Sequence, residues 1–170
     1  MKNAAVALTV IELLRRIGWE ISEESVRKGL GSVSWPARFE LLGRDPVFIL
    51  DGGHNAQCAE AVAESLDKYL PGEKVTLLIG MLRDKNYEEA LDILLPYTDK
   101  CYCLTPASER ALPAEELAAV INKKGIAAEA FSSAEYAINK CLNEDNPVLA
   151  FGSLYMAGEV RKAYRTIRAD

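Results

Sequence analysis

Apolar positions follow two different spacings along this chain, and the change falls near residue 35. Residues 4–17 and 22–31 carry apolar side chains at helical spacing, and glycine closes each segment, as at many helix ends. Beyond them, short apolar runs of strand length alternate with longer segments of helical spacing. We therefore predict a helical piece, residues 1–34, followed by a separate domain, residues 35–170.

Strands and helices alternate along the predicted second domain. The strand-like runs lie at residues 39–42, 47–50, 75–79, 101–104, 128–131 and 148–151. The helical segments lie at residues 56–70, 87–95, 113–124, 132–143 and 154–167. Such alternation is typical of β-α-β units, which place successive strands parallel in one sheet. The pattern predicts an α/β fold, a three-layer Rossmann-like domain with a mainly parallel sheet.

Composition excludes several classes of function. The 170 residues include 20 basic and 25 acidic side chains, a net charge of -5, which argues against nucleic acid or an anionic membrane surface as the partner. No run approaches the roughly 18 apolar residues of a membrane span, and the first residues lead us to expect no signal peptide. The four cysteines lack metal-binding spacing, so we expect them to be reduced. We therefore expect a cytoplasmic protein, and we also expect it to be a monomer.

Polar residues and glycines concentrate where the predicted strands end. They lie at residues 51–55, 80–85, 105–106 and 152–153. Ligands of open parallel sheets bind beyond the carboxyl ends of the strands. The functional site is therefore predicted at this edge.

The sequence DGGHN at residues 51–55 is the sharpest of these features. The Asp51 carboxylate could accept hydrogen bonds from a ribose, and His54 could orient a charged substrate or a phosphate. An ordinary strand-to-helix turn explains the segment equally well, with Asn55 as helix N-cap and Asp51 bonded locally. The glycines do not fit the G-x-G-x-x-G fingerprint of dinucleotide-binding folds.

Three further polar residues lie next to predicted strands. The Arg38 guanidinium suits a phosphate, Lys85 could neutralise a substrate carboxylate, and Ser153 could bind an anion at a helix start. Each also has an ordinary interpretation, as a surface arginine, a solvated loop lysine and an N-cap serine. We expect Trp35 to be a packing anchor at the domain junction rather than a stacking platform, and we expect Tyr155 to pack.

Two common catalytic arrangements are missing from the sequence. The single histidine has no recognisable nucleophile elbow, which is weak support for hydrolysis. No G-x-x-x-x-G-K-[ST] loop occurs in the chain. If ATP is used, its phosphate cradle must lie elsewhere.

Four motifs in order resemble the folylpolyglutamate synthase and dihydrofolate synthase branch of the Mur ligase family. Residues 35–40, WPARFE, resemble the family's WPGRFE, and residues 49–56, ILDGGHNA, resemble ILDGAHNP. Residues 110–117 match RALPAEEL, and residues 151–155 resemble the closing GSLY. The resemblance covers nearly the whole chain. Three positions depart from the motifs: Ala37, Gly53 and Ala56. The departures at Ala37 and Ala56 affect backbone stiffness more than chemistry.

The resemblance implies a ligase that works with a second domain. Enzymes of the family join an N-terminal P-loop ATPase domain to a C-terminal Rossmann-like domain, and they activate a carboxylate as an acyl phosphate that an amine attacks. Residues 1–34 would then be a remnant of the ATPase domain, and Met1 would not be the natural start. ATP with Mg²⁺ would be bound mainly by the ATPase domain, and the substrates would be a folate or dihydropteroate and L-glutamate. The chain alone would be inactive.

The resemblance also implies roles for individual residues. Arg38 would contact the nucleotide phosphates across the interdomain cleft, and Asp51 and Asn55 would lie on the nucleotide side. His54 would help to bind the incoming glutamate or the phosphates, so that Arg38 and His54 are the candidate catalytic residues.

Lys85 and Ser153 match positions that hold the amino-acid carboxylates in related ligases. Two other functions remain open: the C-terminal domain of a cell-wall Mur peptide ligase, and a binding module without catalysis. A nucleotide-cofactor oxidoreductase is disfavoured by the missing glycine fingerprint.

Overall fold

The computed structural model describes residues 2–84 and 86–169, and the chain divides into two compact units, Met1–Trp35 and Pro36–Asp170. The first unit consists of α1, Lys2–Arg16, and α2, Glu23–Gly31. Ser22 caps α2, since its Oγ accepts a hydrogen bond from the Ser25 backbone N–H at 3.1 Å. Trp35 is 71% exposed, so the prediction that it packs is wrong for the described residues.

The second unit alternates strands and helices as predicted. Its strands are β1, Glu40–Arg44; β2, Val47–Asp51; β3, Val75–Gly80; β4, Thr98–Leu104; β5, Ala127–Phe131; and β6, Val148–Gly152. Its helices are α3, Ala56–Tyr69; α4, Tyr87–Leu94; α5, Ala114–Lys123; α6, Ala134–Leu142; and α7, Leu154–Ala169, with a short 3-10 turn at Leu95–Tyr97.

The six strands form one sheet in the order β1-β2-β6-β3-β4-β5. Strand β1 pairs with β2 in antiparallel fashion, and every other pair is parallel. The predicted mainly parallel, Rossmann-like α/β architecture is therefore confirmed. None of the helices among the described residues combines the length and the apolar run that crossing a bilayer requires.

Helices cover the sheet on both faces. Helices α3, α4 and α5 bury residues such as Leu66, Leu91 and Leu117 against one face, whereas α6 and α7 bury Ile138 and Val160 against the other. Strand β3 is buried along its whole length because its side chains alternate between the two cores. The result is the three-layer arrangement that the alternation of elements predicts.

The connections after β2 and β6 diverge, and such a switch point predicts a crevice beyond the ends of the two strands. These neighbouring parallel strands are followed by helices on opposite faces of the sheet, α3 after β2 and α7 after β6. Parallel sheets bind ligands where connections diverge in this way, beyond the carboxyl ends of the strands. Residues 51–55 and 152–153 leave the sheet at this point, with Asp51 in register with Phe151.

Candidate functional site

Arg38 lies on a short loop with an unusual backbone. Its neighbours Ala37 and Phe39 have φ angles of 55° and 45°, in the left-handed region that non-glycine residues rarely adopt. The Arg38 side chain is exposed, and it forms no hydrogen bond or ion pair with any residue in 2–84 or 86–169. The loop therefore offers a guanidinium to solvent from a backbone that its surroundings must hold in place.

Asp51 holds this loop against the end of β2. Its Oδ2 accepts a hydrogen bond from the Phe39 backbone N–H at 2.8 Å, and its Oδ1 accepts one from Gly53 at 2.7 Å. The Gly52 N–H donates to the Ala37 carbonyl oxygen at 2.9 Å. The structure therefore brings Arg38 and Asp51 together, although the sequence places them in different motifs.

Burial sets the electrostatics of Asp51, which is 7% exposed. Burial raises the pKa of its carboxyl, while the hydrogen bonds from Phe39 and Gly53 and the charge of Arg38 act in the lowering direction. Asp51 is therefore bonded locally, as the ordinary interpretation of this segment predicts. Each carboxylate oxygen nevertheless keeps a lone pair, so a ligand hydroxyl could still donate to it.

His54 and Asn55 follow at the start of α3, and both are half-buried. The Asn55 Oδ1 accepts a hydrogen bond from the Cys58 N–H at 2.9 Å, which makes Asn55 the N-cap of the helix. The His54 ring forms no hydrogen bond within residues 2–84 and 86–169. The capping oxygen of Asn55 is thus engaged, whereas its amide N–H groups and the His54 ring nitrogens have no partner within that part of the chain.

Ser153 stands at the opposite side of the crevice, at the start of α7. Its Oγ accepts a hydrogen bond from the Tyr155 N–H at 3.1 Å, and the side chain is almost completely buried. The Leu154 side chain lies beside Gly52, where a Cβ would approach its Cδ2 to 2.5 Å. Tyr155 is 54% exposed, which contradicts the prediction that it packs.

Lys85 lies outside the described residues, so its predicted role stays a prediction. Two arginines that were not predicted as site residues form ion pairs in the described part of the chain. Arg110 pairs with Asp84 at 2.6 Å, and Arg83 pairs with Glu116 at 2.9 Å. The only signal for them in the sequence was their position at a strand end or in the RALPAEEL motif.

The comparisons identify the family. Residues 37–154 match the Mur ligase, glutamate ligase domain. The chain belongs to the Mur ligase family. A probable bifunctional folylpolyglutamate synthase/dihydropteroate synthase from Halobacterium salinarum is 34% identical over 173 residues, which cover 99% of this chain and 20% of the relative.

Two solved structures extend the similarity to the fold. Escherichia coli FolC in complex with DHPP and ADP has a TM-score of 0.84 and 30% identity, over 98% of this chain and 39% of FolC. The bifunctional folylpolyglutamate synthase/dihydrofolate synthase from Yersinia pestis complexed with AMPPNP and Mn ion has a TM-score of 0.74 and 27% identity, over 95% of this chain and 37% of that enzyme.

These matches confirm the predicted resemblance to the folylpolyglutamate synthase branch of the Mur ligase family. The chain spans between a fifth and two fifths of the length of the relatives named above.

Two departures from the family motifs have structural consequences in this Mur ligase domain. Ala37 occupies the motif's glycine position and is left-handed, the conformation that glycine adopts without strain. Gly53 occupies the motif's alanine position, where an added Cβ would lie 2.6 Å from the Phe151 ring and 2.7 Å from the Cys58 Cβ. The packing around Gly53 is therefore adjusted to the absence of a side chain.

Proposed function

We propose that this chain is the C-terminal domain of an ATP-dependent folate:L-glutamate ligase that works through an acyl phosphate. The observation that carries the proposal is the exposed Arg38 guanidinium, held by a pinned loop at the carboxyl edge of the sheet beside Asp51. The chain lacks a P-loop of its own, so an ATP-binding domain must supply the phosphate cradle. The chain is therefore inactive alone.

The nucleotide contacts would come from one side of the crevice. Arg38 offers a planar set of donors that fits anionic phosphates, with Asp51 and Asn55 next to it for the ribose side. The related Yersinia pestis enzyme was solved with AMPPNP and Mn ion, which supports ATP with Mg²⁺ for this ligase. No group of three His, Cys, Asp or Glu residues in the described part of the chain is arranged to hold a metal ion. We assign the Mg²⁺ mainly to the ATP-binding domain.

The glutamate contacts would come from His54, Lys85 and Ser153. The match to a glutamate ligase domain supports this amino acid as the substrate. His54 has ring nitrogens available at the mouth of the crevice, and Ser153 keeps its hydroxyl proton for a ligand because its Oγ acts as an acceptor towards Tyr155.

Domain closure explains why the site is divided between two domains. ATP supplies the phosphoryl group that activates the folate carboxylate, and catalysis of such a transfer depends on positioning and charge stabilisation. An arginine that reaches the phosphates only on closure completes the site when water has been excluded. His54 and Ser153 then orient the glutamate, whose amine attacks the carbonyl carbon of the acyl phosphate and displaces inorganic phosphate.

Substitution of Arg38 tests the proposal in the ligase that joins this chain to its ATP-binding domain. Arg38→Ala should lower turnover by on the order of 10²-fold or more, because a donor aimed at developing charge is removed. Arg165→Ala, which removes an exposed arginine on α7, is the matched control and should leave turnover unchanged. Normal turnover in the Arg38 variant would remove Arg38 from the mechanism.

Substrate assays separate the proposal from its alternatives. Folates and muramyl peptides should be compared as acceptors, with folates preferred. Lys85→Ala should weaken glutamate affinity, and unchanged affinity would remove Lys85 from the glutamate site. Full ligase activity of the chain alone would contradict the need for a second domain. Size-exclusion chromatography and cell fractionation test the predicted monomer and the cytoplasmic location.

A further inference from the structure

The Glu40 carboxylate connects helix α7 to the loop that carries Arg38. Its Oε2 accepts a hydrogen bond from the Ala37 backbone N–H at 2.8 Å, and its Oε1 forms an ion pair with Arg161 Nη2, also at 2.8 Å. Both side chains are mostly buried, with 20% of Glu40 and 28% of Arg161 exposed. The contact is thus a charge-assisted link between two elements rather than a solvated surface pair.

The loop needs such a link because its backbone is strained. Ala37 and Phe39, the residues on either side of Arg38, are both left-handed. Strained non-glycine residues persist only where neighbouring groups hold them. The Ala37 N–H is held by Glu40, and the Phe39 N–H is held by Asp51. One carboxylate therefore restrains each flank of Arg38.

Arg161 also shows that this contact is not incidental packing. Its Nε is buried and has no hydrogen-bond partner in the described part of the chain. Burying an unpaired donor is unfavourable, so an apolar side chain would be the simpler filling at this place. The ion pair with Glu40 explains why a guanidinium occupies this place, and through it α7 holds the Glu40 carboxylate in position. The same helix begins beside Ser153, at the crevice.

We infer that Glu40 and Arg161 are positioning residues that fix the Arg38 loop, and that they affect the ligase reaction only through Arg38. The structural half, that Glu40 and Arg161 fix the Arg38 loop, concerns the described chain alone. The kinetic half, that they affect the reaction only through Arg38, rests on the proposed function. Two experiments test the halves separately.

Amide hydrogen exchange on the chain tests the structural half. In Glu40→Ala the Ala37 N–H loses its charged acceptor, and its exchange should accelerate on the order of 10- to 100-fold. Glu40→Gln keeps an acceptor oxygen and should retain most of the protection. Arg161→Lys keeps a cation near Glu40 and should also retain it.

The matched control is Glu144→Ala. Glu144 pairs with Lys100 at the same 2.8 Å, and the two side chains are similarly exposed, 18% and 32%. Glu144 precedes β6 and therefore lies at the amino ends of the parallel strands, whereas the Arg38 loop lies at their carboxyl ends. After correction for any change in global stability, this variant should leave the exchange rate of the Ala37 amide unchanged. Equal acceleration in the Glu40 and Glu144 variants, or none in Glu40→Ala, would overturn the inference.

A double-mutant cycle in the complete ligase tests the kinetic half. Glu40→Ala should lower kcat at saturating ATP by roughly tenfold while the KM for folate changes little, and Glu40→Gln should restore most of the rate. The double variant Arg38→Ala/Glu40→Ala should be no slower than Arg38→Ala, because Glu40 has no other route to the reaction. Additive losses would overturn this half. Full activity of Arg38→Ala would instead remove Arg38 from the proposed mechanism, and the exchange experiment would still decide the structural half.

Discussion

Gly80 and Gly152 face each other across the parallel strands β3 and β6 at a distance that leaves no room for a side chain. They are register partners at the carboxyl ends of their strands, and a Cβ on Gly152 would lie 2.0 Å from the Gly80 carbonyl oxygen. Gly152 also has a φ of 141°, a conformation that L-residues rarely adopt. The two glycines let the strands stay close at the edge where the candidate site lies, immediately before Ser153.

We expect Gly152→Ala to destabilise the domain by about 3 kcal/mol or more, because the methyl group meets backbone atoms that cannot move aside and the φ angle is unfavourable. Gly158→Ala is the control on α7, where nothing lies within 4 Å of an added Cβ. It should stabilise the domain by roughly 0.5–1 kcal/mol through helix propensity. Urea unfolding of both variants measures the difference, and equal stabilities would contradict the close approach.

Ala37 offers a test of the strained loop. Ala37→Gly should change stability by less than about 1 kcal/mol, since relief of the left-handed backbone is offset by a lost buried methyl group and a more flexible unfolded chain. Ala37→Val should cost about 2 kcal/mol or more, because a β-branched residue resists positive φ and the site is 6% exposed. Thermal or chemical unfolding gives both values. A valine variant as stable as the glycine variant would rule out the left-handed conformation.

Ser153 combines a helix cap with a proposed glutamate contact, and a second serine separates the two roles. Ser133 caps α6 by accepting from the Tyr136 N–H, as Ser153 accepts from Tyr155. Replacing either serine by alanine should cost about 1 kcal/mol of stability. Only Ser153→Ala should also raise the KM for glutamate in the complete ligase. If both variants changed the KM equally, the effect would come from capping and not from binding.

Glu144 provides a pH test away from the candidate site. Hydrogen bonds from Lys100 and from the Tyr102 hydroxyl lower the pKa of Glu144. Because its folded pKa is depressed, its stabilising effect is present above the ordinary value near 4.5 and is lost as the pH falls through the folded value. Glu144→Gln should therefore lower the free energy of unfolding by about 1 kcal/mol at neutral pH and by less near pH 3. A difference that stays constant with pH would contradict the ionic contribution.

The hydrophobic pattern predicted nearly every element of the second unit, and it failed where polar residues form part of a strand. Strand β4 begins at Thr98, three residues before the predicted start. Thr98 is buried, but Asp99 and Lys100 are polar and partly exposed, so no apolar run marks the beginning. Pairing of Thr98 with Val75 on β3 decides the boundary.

The site was predictable in its residue types but not in its contacts. The strand-end rule directed attention to Asp51, His54 and Ser153, and Arg38 was added by its position beside the first predicted strand. Asp51 bonds to the Phe39 backbone, twelve positions earlier, and Glu40 pairs with Arg161 on the last helix. No local pattern links residues so far apart in the chain. The exposure of Trp35 and Tyr155 was likewise missed, because an aromatic residue in the sequence does not reveal what surrounds it.

The sequence by itself determined the alternation of strands and helices, the family, and the edge of the sheet where chemistry belongs, because spacing and motifs are local properties. Tertiary structure alone decided the strand order, the close approach of Gly80 to Gly152 and the pair of carboxylates that holds the Arg38 loop. These features depend on which distant segments meet when the two faces of the sheet are buried. Burial and the demand that buried polar groups find partners select that arrangement only once the whole domain has folded.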